Sequence, residues 1–303
     1  MYWYSEQLFR DNTGDVKNQR ASPRYYWQNE SMTSRISTRQ DIETLLAEVK
    51  QIAYEAGRVI MEVYERGFSV EEKSDHTPVT EADLAAHRII ETGLRALTPD
   101  IPILSEECKP LPFVERARWP RYWLVDPLDG TREFIRRNGE FSVNIALIEG
   151  HCPVVGTIYG PVVGCLYYAA KGMGAFKKSG IDDVRPIRVR ATCPEKVVIA
   201  GSRSHYGEEF KQFIARLPAG YEIIPMGSAL KSCLVAEGKA DLYARLGPTS
   251  EWDTAAAQII VEEAGGLITD THMQPLRYNT REELLNPHFF AFGDRSRDWS
   301  EFL

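Results

Sequence analysis

The chain has 303 residues, 43% hydrophobic and 26% charged, the balance of an ordinary globular protein long enough for two core-bearing units. Its formal net charge of −7 argues against a broad nucleic-acid-binding face. It leaves room for one local cluster of cations facing a small anion. The cysteines at 108, 152, 165, 193 and 233 show no zinc-knuckle or redox spacing and are odd in number, which favours a reducing cytoplasm. No stretch reaches the roughly 18–20 apolar residues of a membrane helix, and the N-terminus lacks a secretory apolar core.

Residues 1–38 mix Tyr2, Trp3, Tyr4, Tyr25, Tyr26 and Trp27 with Asn, Gln, Ser and Arg, without any period. The expectation is a flexible tail rather than an aromatic-basic docking arm, with Met32 as an alternative start. From Asp41 the pattern becomes helical: Ile42, Leu45, Leu46, Val49, Ile52, Ala53, Ala56, Val59, Ile60 and Val63 recur on one face, and Gly67 is the stop. FSVEEK (68–73) predicts a short strand and 80–97 a second helix, with Ile89, Ile90, Leu94 and Leu97 inward. IPILSEE (101–107) and YWLVD (122–126) read as strands running out into acids. FSVNIALIEG, PVVGTIYGPVVG and CLYYAAKG predict an antiparallel meander, with GMGAF (172–176) as a hairpin turn. IRVRATCP (187–194) closes this region. KVVIAG, YEIIPMG, ADLYARLG, LITD and FFAFGD then read as strands, and SALKSCLVAEG (228–238) and EWDTAAAQIIVEEAGG (251–266) as helices.

Acids gather where strands end or helices begin: Glu106, Asp126, Asp129 and Asp253, with Asp83 nearby in type. Each alone has a plain structural explanation. Asp253 can complement a helix dipole, Asp83 can close a capping box with Thr80, and Glu106 with Glu107 can form a solvated turn. WLVDPLDGTREF (123–134) shifts the balance. Two carboxylates so close repel unless something positive lies between them, and Pro127 limits their escape. Magnesium, which prefers oxygen ligands and keeps room for phosphate, is the natural partner. No His or Cys cluster competes for zinc, and His76, His87 and His205 are expected at the surface. Gly130 and Thr131 open a helix whose free N–H groups favour a phosphate oxygen.

PVTEAD (78–83), SEE (105–107), DPLDGT (126–131) and WDTAA (252–256) together resemble, in order, the motifs of the inositol monophosphatase-like family of magnesium-dependent, lithium-sensitive phosphatases. The resemblance covers roughly residues 40–300. GSRSH (201–205) and GSALKSCLVAEGKADLYARLGPTSEWDTAA (227–256) resemble more narrowly the bacterial 3′(2′),5′-bisphosphate nucleotidase branch. That branch removes the 3′-phosphate of adenosine 3′,5′-bisphosphate, a by-product of sulfate assimilation, and also accepts the sulfated nucleotide.

The resemblance implies that Glu106, Asp126, the Leu128 carbonyl, Asp129 and Asp253 bind two or three magnesium ions, with Asp126 bridging. It implies catalytic roles for Asp83 and Thr131, which orient and deprotonate a water, and for Glu106. Substrate contacts are implied for Glu106, Leu128, Asp129, Gly130, Thr131, Ser228, Lys231, Arg245 and Asp253. Lys231 and Arg245 can otherwise be read as a solvated helix residue and a strand-edge charge; Lys73 and Arg203 read as ordinary surface cations. Trp252 is expected to pack and position Asp253.

The implied architecture is a layered αβαβα sandwich: a tail (1–38), an N-terminal α+β domain with the metal site (39–193), and a C-terminal α/β domain (194–303) contributing Asp253 and the nucleotide-binding residues. The expected protein is a cytoplasmic enzyme with a small nucleotide substrate and no nucleic acid or integral membrane segment. Oligomeric state, peripheral attachment at the inner membrane, and preference among 3′-phosphate, 2′-phosphate and sulfated substrates are left open. An inositol or sugar phosphatase of the same fold, or a non-catalytic magnesium and nucleotide sensor, is the alternative.

Overall fold

Two amphipathic helices and a strand pair come first in a computed structural model that describes residues 38–66, 68–72, 78–109, 111–180, 183–202 and 207–303. The expectations for the tail up to residue 37, Gly67, Lys73, His76, Arg203 and His205 fall outside these residues. In chain order, α1 (Arg39–Arg66) is followed by β1 (Val70–Glu72) and its antiparallel partner β2 (Pro78–Thr80), then α2 (Glu81–Leu97). Next come β3 (Ile103–Ser105), α3 (Phe113–Arg116), β4 (Arg121–Asp129), α4 (Thr131–Ile135) and β5 (Ser142–Glu149). The meander follows as β6 (Cys152–Gly160), β7 (Cys165–Ala170), β8 (Ala175–Ser179) and β9 (Asp183–Pro186). These strands form one seven-stranded sheet in the order β3-β4-β5-β6-β7-β8-β9, antiparallel except for the β3–β4 pair.

The remaining elements are β10 (Val197–Gly201), α5 (Glu208–Ala215), β11 (Tyr221–Pro225), α6 (Leu230–Ala236), β12 (Leu242–Arg245), α7 (Ala255–Glu263), β13 (Leu267–Asp270) and β14 (Phe289–Phe292). A 3-10 turn, Glu251–Asp253, precedes α7, and another, Trp299–Phe302, ends the chain. The second sheet has five strands in the order β11-β10-β12-β14-β13.

Strand periodicity fixes the layering, because alternate side chains point to opposite faces. On β4 and β5, Trp123, Val125, Val143, Ile145 and Leu147 pack with Leu45, Val49, Ala53, Ile90 and Leu94 of α1 and α2. The alternate residues Tyr122, Leu124, Ala146 and Ile148 pack with α6 and α7. The same core takes Tyr243, Phe289 and Ala291 from one face of the second sheet. The other face of that sheet, with Leu242, Ala244, Phe290 and Phe292, covers Phe210, Phe213 and Ile214 of α5. The succession is helix, sheet, helix, sheet, helix. Full burial of each large apolar side chain contributes roughly 1.5–3 kcal/mol.

Two contacts set how closely the layers meet. Gly156 of β6 lies under α7, where an added Cβ would stand 2.4 Å from Ile259 Cγ2 and 2.6 Å from the Ala256 carbonyl oxygen. Only a bare backbone fits. Between β8 and the end of α6, Lys177 Nζ donates to Glu237 Oε2 at 2.8 Å, with side chains 6% and 3% exposed. Tyr167 and Lys239 hold the other oxygen of Glu237 at 3.1 and 3.0 Å.

The expected strands and helices are present, but β2, α3, α5, β8 and β9 come in addition to them and one expected helix is divided. EWDTAAAQIIVEEAGG is not one helix: the 3-10 turn comes first, closed by a Ser250–Asp253 capping box. α5 was not signalled by a long apolar period, having only eight residues. β9, exposed at all four positions, forms the sheet edge and carries no alternation to detect.

Candidate active site

In a regular strand Asp126 and Asp129, an odd number of positions apart, would point to opposite faces. The β4–β5 register prevents that: Asp126 faces Asn144 and Asp129 faces Ser142, so β4 spends one residue more than its partner. This bulge at Pro127–Leu128 resets the alternation and turns both carboxylates to one side. The Leu128 N–H donates to Asp126 Oδ1 at 3.0 Å and fixes the nearer carboxylate. Asp129 Oδ2 accepts from Asn144 Nδ2 at 3.2 Å and from the Ala229 N–H at 2.5 Å. Ala229 can make that contact because Ser228 adopts a left-handed backbone with φ 50°. Strain of this kind gathers at functional sites.

Asp253 reaches the same place from the turn before α7, with its Oδ2 held by the Ser250 N–H at 2.9 Å. Asp126, Asp129 and Asp253 each present a carboxylate oxygen within 4.8 Å of the others. Burial pushes Asp126 well above the usual carboxylate range, with the charges of Glu106, Asp129, Asp253 and Asp83 adding to it. Burial likewise raises Asp253, helped by Asp129, and raises Asp129, which Lys231 opposes. Glu106 follows β3, with its N–H donating to the Val125 carbonyl at 3.1 Å. Its carboxylate is not in the three-way group, yet its charge acts on all three members.

Asp83 is the third helical residue of α2 and does close the capping box with Thr80, whose N–H and hydroxyl both donate to Oδ2 at 2.7 Å. Its other oxygen, Oδ1, accepts from Thr131 Oγ1 at 3.2 Å. The structural role and the link to the DPLDGT segment therefore coexist on one side chain. Gly130, at φ 92°, makes the sharp turn from β4 into α4 that brings Thr131 there. Burial raises the Asp83 carboxyl, against the Thr80 hydrogen bonds.

A cavity of about 270 Å³ opens beside the acids and is lined by Asp129, Gly130, Ser228, Lys231, Arg245 and Asp253, among others. Lys231 is half-buried, not a solvated helix residue. Its Nζ donates to the Ser228 carbonyl at 2.8 Å and stands 5.2 Å from the Tyr243 ring centre. Burial pulls its pKa down, opposed by Asp129. Arg245 donates from Nη2 to the Pro248 carbonyl at 2.8 Å, while its buried Nε has no hydrogen-bond partner. A buried unpaired donor of a cation is a place prepared for an anion.

The expectation that His87 is a surface residue is overturned. Its side chain is 13% exposed, and α2 lays it against the end of β3, where Nδ1 bonds Ser105 Oγ at 3.1 Å. Its Nε2 lies 3.9 Å from Cys108 Sγ, although no third ligand completes a metal group there among the described residues. Trp252 packs against the central core as expected. Two buried polar residues escaped the sequence reading. Asn144, flagged only by being polar within an apolar run, orients Asp129. Glu251 accepts two hydrogen bonds from the Asn279 N–H at 3.0 and 2.8 Å and anchors the turn carrying Asp253. Burial pushes its carboxyl up to about 7, against those bonds and the charges of Arg116 and Arg281.

Carboxylate and carbonyl oxygens without imidazole or thiolate suit a hard divalent cation. The fold and this acidic centre define a metal-dependent phosphatase of the layered αβαβα type. The model of the inositol monophosphatase family matches residues 41–295, and the chain belongs to that family. It is 51% identical over 247 residues to the 3′(2′),5′-bisphosphate nucleotidase CysQ of Salmonella typhimurium, covering 81% of this chain and 98% of that one. Haemophilus influenzae CysQ is 42% identical over 261 residues, covering 85% and 96%. Among solved structures, CysQ from Bacteroides thetaiotaomicron superposes with a TM-score of 0.72 at 40% identity, covering 83% of this chain and 98% of that one. No helix of the described residues is long and apolar enough to cross a membrane.

Proposed function

We propose that this chain is a magnesium-dependent 3′(2′),5′-bisphosphate nucleotidase that converts adenosine 3′,5′-bisphosphate to AMP and phosphate and also takes the sulfated nucleotide. The observation that carries this reading is the meeting of Asp126, Asp129 and Asp253 within 4.8 Å beside a cavity walled by Lys231 and Arg245. Such a site suits a substrate with one phosphate to cut and another anionic group to hold.

Glu106, Asp126, the Leu128 carbonyl, Asp129 and Asp253 are assigned to hold two or three magnesium ions. Bound there, the ions offset the carboxylates' repulsion, lower the pKa of a water and stabilise charge on phosphate oxygens. The Thr131 hydroxyl, hydrogen-bonded to Asp83 Oδ1, takes the proton of the attacking water as it passes its own to Asp83. Glu106 completes the group assigned to activating that water. Gly130 and Thr131, with Leu128, Asp129 and Asp253, line the place of the phosphate being cut; Ser228, Lys231 and Arg245 take the one that remains.

A neighbouring hollow of about 290 Å³ favours a nucleotide over inositol phosphate. It shares Lys231, Tyr243 and Arg245 with the first cavity and adds Phe210, Leu246 and Pro248. An apolar lining of this kind accommodates a nucleoside, whereas an inositol ring presents hydroxyls on every side. The five free cysteines support a reducing compartment.

The test is phosphate release by purified protein with magnesium. Rapid turnover of adenosine 3′,5′-bisphosphate with slow turnover of inositol monophosphate is expected, and the reverse ranking overturns the assignment. Millimolar lithium should inhibit at saturating substrate. Calcium in place of magnesium should also depress the rate, because its looser coordination sphere misplaces the reacting groups.

A further inference from the structure

Two cations of the cavity wall have no task in the reaction as described. Arg132 on α4 and Arg136, the residue capping its C-terminus, stand four positions apart, and both line the cavity that holds Asp129, Lys231, Arg245 and Asp253. Both are exposed, and among the described residues neither forms an ion pair or a side-chain hydrogen bond. Their neighbour Arg137 differs: it donates to the Tyr64 carbonyl at 2.7 Å and covers the Tyr64 ring.

The cations of this cavity differ in depth and in compensation. Lys231 is half-buried, with Asp129, Glu133 and Asp253 acting on its charge. Glu133 also lines the cavity, and its charge favours the inner cation. Arg132 and Arg136, at the exposed rim, have no acidic partner among the described residues. In a chain of net charge −7, acids to pair them are not scarce, and an unpaired like-charge pair at this spacing is mildly unfavourable. The arrangement is suited to a diffusible anion held by planar, multidentate donors.

We propose that Arg132 and Arg136 form an outer anion subsite that recognises the terminal anionic group of a substrate extended at the 5′ position, as in a 3′-phosphonucleoside 5′-phosphosulfate. The inference rests on the nucleotidase reading. With one phosphate at the acids and a second at Lys231 and Arg245, a third anionic group reaches the rim. A simple 3′,5′-bisphosphate has nothing to place there, so the pair discriminates between the two substrates rather than serving both.

The test compares kcat/KM of the wild type, R132Q, R136Q and the double variant on 3′-phosphoadenosine 5′-phosphosulfate, adenosine 3′,5′-bisphosphate and adenosine 3′-monophosphate. The double variant should lose about tenfold or more on the phosphosulfate, chiefly through KM, while the other two substrates change by less than about threefold. Equal losses on the phosphosulfate and the bisphosphate, or no loss on either, overturn the proposal. Equilibrium titration of each nucleotide without metal reads the subsite independently of turnover. A selective loss of phosphosulfate binding in the double variant supports the subsite even where no adenosine substrate is hydrolysed, the outcome that rejects the nucleotidase reading alone; equal binding by both proteins rejects the subsite alone.

Discussion

Asp83 commits Oδ2 to the Thr80 cap and leaves Oδ1 to the Thr131 hydroxyl, so an amide can keep the first contact but not serve as proton acceptor in the second. Asp83→Asn should therefore lower kcat by about 10²–10⁴ with KM little changed, while the helix start loses no more than about 1 kcal/mol. Initial rates and thermal melts of one preparation read both effects. Unchanged turnover would revive a non-catalytic sensor of magnesium and nucleotide. Asp126, 2% exposed, offers the complementary case. Asp126→Asn removes one buried negative charge among several, so it should raise the metal-free melting temperature by about 2 °C or more. The same variant should lose turnover and most of its stabilisation by magnesium. A melt in chelator below that of the wild type would contradict the picture of mutual repulsion.

At the scale of elements, Gly156 is the spacer that lets α7 lie directly on β6 and so brings the preceding turn, with Asp253, over the end of β4. Gly156→Ala places a Cβ against the backbone of Ala256, which has no rotamer to yield. The helix must lift, losing about 1–3 kcal/mol of stability, and the magnesium concentration for half activity should rise about tenfold. Activation curves across magnesium concentrations check this, and an unchanged midpoint would separate α7 packing from the site. The Lys177–Glu237 pair makes a second prediction. Burial alone would raise the Glu237 carboxyl, but hydrogen bonds from Lys177 and Lys239 outweigh it and hold it below its ordinary value. Its folded pKa lies below the unfolded one, so its stabilisation is complete above about pH 4.3 and fades as pH falls through the folded value. Lys177→Met leaves the carboxylate with weaker partners and should cost about 3 kcal/mol at neutral pH, with acid unfolding beginning at higher pH. Long periodic elements such as α1, and the meander with its glycine breaks, were legible in the sequence because burial on one face leaves a period. The bulge at Pro127–Leu128, the 3-10 turn at 251–253 and the partial burial of His87 were not, since each depends on register against a distant strand or helix.

Across the whole molecule, the acids come from segments that residue order keeps far apart: Asp83 from α2, Glu106 after β3, Asp126 and Asp129 from β4, and Asp253 before α7. Their types and motif order were visible in the sequence; their convergence depends on the stacking of five layers. We propose the division after residue 193 as a domain boundary. The change of sheet between Pro186 and Val197 supports it, although α6 and α7 pack against both sheets. Magnesium should raise the melting temperature of the wild type increasingly with concentration, as binding to the folded state alone requires; a melt indifferent to magnesium would remove the acidic cluster as its site. The crowding of Asp126, Asp129 and Asp253 carries one more consequence. These three side chains were packed for company they cannot supply themselves, so the native chain holds a standing internal stress that a bound cation would relieve. Magnesium scarcity should then loosen the seam between β4 and the Asp253 turn to a protease, and depletion would threaten the enzyme's persistence along with its turnover.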